Sequence, residues 1–131
     1  MANRAEHIEQ AKHNQEWANL IITTNPKYRD WAITSAFYAA LHYAEACFIA
    51  KGIRYKGSGG RHPFRSQVIQ THAPTAFRSY EKLKNACWDV RYLERGSWQS
   101  WYSEQVAKNL ITADLPKVRE ELARAFKVDL T

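Results

Sequence analysis

In the stretch GSGGRHPFRSQVIQTH (57–72), Arg65 and His72 stand seven residues apart, and Arg61 and His62 form a second pair at its start. On one helix, a separation of seven brings two side chains to within about 20° of each other. That face would carry a guanidinium, whose planar fork grips phosphate oxygens in pairs, and an imidazole, which exchanges a proton near neutral pH. The two groups suffice for metal-independent cleavage of RNA. The imidazole takes the 2′-hydroxyl proton while the cation stabilises charge on the phosphate. His62 is a further candidate for the proton transfer. The same spacing arises by chance on exposed helices, so spacing alone leaves open a solvated polar surface.

Other chemistries find less support. KGSGGRH lacks the G-x-x-x-x-G-K-[ST] spacing of a phosphate-binding loop and its strand–helix setting, so its glycines read as a flexible linker. His62 and His72 have no carboxylate or thiolate at ligand spacing, and no metal or other cofactor is expected. No G-x-S-x-G elbow is present. Cys47 and Cys87 fall inside apolar helical patterns, as buried free thiols of a cytoplasmic protein do; one disulfide between them is the alternative.

The chain has 19 Lys and Arg against 13 Asp and Glu in 131 residues. No acid occurs between Glu45 and Glu81, where Lys51, Arg54, Lys56, Arg61, Arg65 and Arg78 lie. Those six cations are the whole of the net +6 charge. A field concentrated this way attracts phosphates or an acidic partner. Arg54, Lys56, Arg61, Arg65 and Arg78 are therefore the candidate phosphate contacts. The longest apolar-rich stretch, AFYAALHYAEACFIA, is interrupted by His42 and Glu45, so no membrane span is expected.

The positioning elements are all helical, since no alternating strand pattern or Asn-Gly turn appears. A first helix is predicted over 5–23, with Ile8, Ala11, Ala18, Leu20, Ile21 and Ile22 apolar, before Asn25-Pro26 breaks the chain. A second, over 28–51, carries Ala32, Ala36, Ala40 and Ala44 as a thin ridge flanked by Ile33, Phe37, Leu41 and Phe48. A glycine-rich loop (52–63) leads to a short helix over 63–71. The next helix runs from Pro74 or Thr75 to Leu93 or Glu94, with Phe77, Tyr80, Leu83, Cys87 and Val90 inward and Gly96 as its stop. SWQSWY (97–102) is an aromatic connector whose Trp98, Trp101 and Tyr102 either plug the end of the bundle, the favoured reading, or stack on bases. A last helix over 106–126 is expected to break or kink near Thr112–Asp114 because of Pro116. The sum is one domain: an all-α, up-and-down bundle of four main helices plus a short accessory helix.

SAFYAALHYAEACFIAKGI, His62-x-x-Arg65, Tyr80-x-x-Leu83 and Arg91-Tyr92, in that order, resemble the HEPN family (higher eukaryotes and prokaryotes nucleotide-binding) in its small prokaryotic members. The likeness covers about residues 5 to 126. It implies a bundle of four to five helices that pairs as a homodimer. It also implies, for many members, ribonuclease activity in toxin–antitoxin or anti-phage systems through an R-x(4–6)-H motif, which Arg65-x6-His72 satisfies. Arg91 and Tyr92 join the candidate RNA contacts on this resemblance. Other members lack catalysis and act as interaction modules. Two readings therefore stand: an RNA- or nucleotide-binding protein with ribonuclease chemistry, or a non-catalytic dimer that binds a cognate protein partner.

Overall fold

The computed structural model describes all residues, 1–131, and is helical with no strand. Helix α1 spans Arg4–Thr24, α2 Arg29–Ala50, α3 Arg61–His72 and α4 Pro74–Tyr92. Helices α5 (Glu104–Asn109) and α6 (Leu115–Phe126) are joined by a π-helical turn over Leu110–Asp114. No helix is long and apolar enough to cross a membrane.

Local signals account for most of the ends. Asn3 caps α1 by accepting the Glu6 N–H at 2.9 Å, while the Glu6 carboxylate accepts the Asn3 N–H at 3.1 Å. The pair satisfies donors that a helix start leaves without partners. Asn25-Pro26 ends α1 as expected. The stop of α4 comes earlier than Gly96: the helix ends at Tyr92, and Leu93 takes the left-handed position, with φ 52° and ψ 40°.

One apolar core runs through the molecule, and α2 is its axis, packed against α1, α4 and α6. Ala32, Ala36, Ala40 and Ala44 are completely buried, as are Ala11 and Ala18 on α1. Small side chains on both partners permit close approach, and α1–α2 is the most extensive helix contact. Around this pair, Ile33, Phe37, Phe48, Tyr80, Leu83, Leu115, Val118 and Leu122 supply the bulk. Leu20, expected inside, is 50% exposed.

The last helix does not break, but it is irregular over Leu110–Asp114, where a break or kink is expected. Pro116 has no N–H to donate one turn back. The preceding turn widens instead, and Leu115 N–H donates to the Leu110 carbonyl. The Asp114 carboxylate accepts the Ser79 hydroxyl at 2.9 Å and lies 3.4 Å from Lys82 Nζ.

Candidate phosphate-binding site

Tyr38, His42 and Glu45 follow one another at i, i+4 and i+7 and form a polar line on the alanine-rich α2. The packing brings a charged or titratable group to each from a different helix. Glu45 receives Arg65 of α3, with Nε 2.5 Å from Oε1 and the two side chains only 11% and 21% exposed. His42 meets His7 of α1, Nδ1 to Nδ1 at 2.9 Å. Tyr38 accepts from Arg91 Nη1 of α4 at 2.6 Å.

His62, in the first turn of α3, stands beside this line. Its Nδ1 is 3.5 Å from Arg65 Nη1, and its ring meets Trp88 edge-on with centroids 4.9 Å apart. Partial burial, followed by the cations Arg65, Lys84 and Arg91, lowers its pKa. An imidazole so placed is neutral at pH 7 and able to accept a proton. His42 is likewise lowered, by burial first and then by His7, with Glu45 opposing and Arg65 adding to the effect. A contact between two Nδ1 atoms needs one bare nitrogen, so protonating both rings breaks it.

Arg91 is the open cation of the group. It is exposed, has no carboxylate within 4 Å, and lies 5.0 Å over the Tyr92 ring and 5.7 Å from that of Tyr38. Tyr92 is itself 56% exposed. Arg65, by contrast, is committed: Glu45 neutralises it and holds it where it can orient His62. Next to this ion pair the Tyr80 hydroxyl is buried with no hydrogen-bond partner, and burial drives its pKa up.

The remaining sequence candidates are dispersed. Arg54 and Lys56 are exposed on the loop before α3, and neither they nor Arg78 on α4 meets a carboxylate. Arg61 stacks on Tyr55 at 4.9 Å. The Tyr55 hydroxyl accepts the Gly60 N–H at 2.9 Å, and its ring packs on Phe64 at 5.5 Å, so an aromatic residue organises the glycine loop. His72 sits at the exposed end of α3, its ring 5.8 Å from Phe126 of α6. Arg65 and His72 are two helical turns, about 10.5 Å, apart along α3, and they touch different neighbours. His62, Arg65, Arg91 and Tyr92 are gathered around one surface; His72 is not among them. Glu45 and Trp88 belong to the group too, and the polar i, i+4, i+7 line on an alanine-rich helix was the available signal for Glu45.

A hollow of about 660 Å³ lies between α4 and the segment after it and is lined by Lys82, Asn85, Asp89, Arg95 and Tyr102, among others. Its Asp89 and Arg95 satisfy one another. Buried Asp89 accepts from Tyr102 Oη at 2.6 Å and Arg95 Nη2 at 2.8 Å, and Arg95 stacks on Trp101 at 4.1 Å. Arg29 donates to the Tyr102 carbonyl at 2.7 Å and lies 4.9 Å from the Trp98 ring. The aromatic connector is thus fastened across the bundle end, and the hollow is a by-product of that fastening. Both cysteines are buried and unpaired, burial pushing Cys47 up to about 12 and Cys87 up to about 11. No group of three His, Cys, Asp or Glu side chains is gathered as a metal would require.

Compared with protein-family models, curated proteins and solved structures, the chain matches none.

Proposed function

We propose that this chain is a small HEPN-like helical protein that binds RNA or another phosphate-bearing ligand on the surface formed by His62, Arg91 and Tyr92. The observation that carries the reading is Arg91. It is an exposed guanidinium with no carboxylate partner, held between two phenol rings beside a neutral imidazole. A cation so seated keeps its remaining N–H donors for phosphate oxygens, and flanking aromatic faces suit a base or sugar. Unpaired Arg54, Lys56 and Arg61 before and at the start of α3 extend the positive field.

If RNA is cleaved, the geometry favours His62 over His72 as the base, with Arg91 beside the phosphate and Arg65 positioning the imidazole. A homodimeric assembly and a role in toxin–antitoxin or anti-phage defence rest on the resemblance in helix α2 and the Arg91-Tyr92 pair. Titrating labelled single-stranded RNA at several salt concentrations tests the binding reading. Affinity should fall linearly on a log–log plot, and Arg91→Ala should lower the slope by about 0.7, one phosphate contact on a single strand. Salt-independent binding, or an unchanged slope in Arg91→Ala, defeats it. In a cleavage assay, His62→Ala should be inactive and His72→Ala active; the reverse result assigns the chemistry to Arg65 and His72.

A further inference from the structure

A groove between α1 and α2 leads directly into the Tyr38–Arg91 contact. Its volume is about 330 Å³, and its lining includes Trp17, Trp31, Asn14, Ser35, Tyr38 and His42. Trp17 is 51% and Trp31 58% exposed, one from each helix. Neither indole stacks on another ring or lies under a cation, and both also border an apolar hollow with Leu20, Ile21 and Tyr28. Between the indoles and Arg91 the lining is amide, hydroxyl, phenol and imidazole, with no carboxylate.

We propose that this groove seats the bases of a single-stranded RNA, with Trp17 and Trp31 as stacking platforms and Arg91 holding the backbone at the far end. The proposal rests on the RNA-binding reading above and adds to it a base-binding stretch. Three features favour a nucleic acid over an apolar protein segment. Large aromatic faces stand free at one end, and a base of any sequence can lie on them. The Ser35 and Thr34 hydroxyls already donate to the Asn14 and Asp30 carbonyls, so what the lining offers base edges is the Asn14 amide N–H and the spare lone pairs of its hydroxyl and phenol oxygens. A cation without a counter-charge marks where a phosphate would be met. Trp31 and Tyr38 are seven residues apart on α2, or about 10.5 Å, so the groove exceeds one base in length.

The test uses the full chain and fluorescein-labelled ten-nucleotide oligo(U) and oligo(A), a duplex RNA of the same length, and inorganic tripolyphosphate as competitor. Single strands should bind more tightly than duplex and quench tryptophan fluorescence. Trp17→Ala and Trp31→Ala should each weaken single-strand binding by about 5- to 100-fold, with the salt slope unchanged. Trp31→Leu, which keeps apolar bulk and removes the aromatic face, should behave like Trp31→Ala, and Trp31→Tyr should retain binding. Wild-type affinity in both alanine variants overturns the base platform while leaving the Arg91 reading in place. An absence of any RNA binding by the wild-type chain overturns both. If the alanine variants instead turn a dimer into a monomer in sedimentation and bind RNA normally, the face belongs to a second copy and the proposal is wrong.

Discussion

Glu45→Gln isolates the interaction that holds α3 against α2. It keeps shape and removes charge, leaving the Arg65 guanidinium, with its side chain 11% exposed, beside a neutral amide. Removing one partner from a fully buried ion pair costs about 3 to 5 kcal/mol, chiefly because the other charge is left uncompensated. Glu45 is 21% exposed, so solvent relieves part of that penalty, and about 2 to 3 kcal/mol is expected. With a urea slope of about 1.5 kcal/mol/M, the unfolding midpoint should drop by about 1.3 to 2 M. Because the pair is largely shielded, raising the salt from about 0.1 to 0.5 M should change that drop little. The double variant Glu45→Leu with Arg65→Met removes both charges at similar volume and should recover most of the loss. A single-variant loss within about 0.5 kcal/mol, or a double variant no better than Glu45→Gln, refutes the claim that Arg65 is held by this pair. His62 orientation would then need another cause.

The lowered His42 and His62 make stability depend on acid. Their folded pKa values lie below the unfolded 6.5, so the unfolded chain takes up protons first; stability is full above that value and falls as pH drops through the folded values. Thermal melts from pH 7.5 to 5 should show the decline, and His42→Gln should flatten it. Leu93→Gly relieves a left-handed leucine that is 56% exposed, and the gain should be about 0.5 to 1 kcal/mol, read as a rise in Tm of a few degrees. Cys47 and Cys87, raised to about 12 and about 11 by burial, should resist thiol reagents at pH 8 in the native chain and react in urea. Rapid native modification would contradict their burial.

Much of the fold was legible because the alanine ridge and the spacing of Tyr80, Leu83, Cys87 and Val90 are one-dimensional patterns with a direct three-dimensional meaning. The end of α4 was misplaced because glycine is only the cheapest left-handed residue, and Leu93 takes that position without it. The exposed face of Leu20 was unreadable for another reason. Local sequence tells which residues are apolar, not whether a neighbour arrives to cover them. In the proposed group, His62 and Arg65 are candidates by residue type, whereas Glu45 could not be recognised as the partner of Arg65. They are 20 residues apart, and only the packing of α3 on α2 joins them. His72 entered through the regularity of α3, which fixes angle but says nothing of which neighbour each turn meets.

The wide turn at Leu110–Asp114 ties two positions together as a heritable pair. A π turn holds one more residue than an α turn, and here that residue opens the space Pro116 needs. Deleting one residue from 110–114 would restore an ordinary turn and leave Pro116 as a helix breaker, costing about 3 kcal/mol or more. The same deletion made together with Pro116→Ala should be tolerated far better. A change in chain length and a change of proline, each harmful or idle alone, would thus be viable mainly in company.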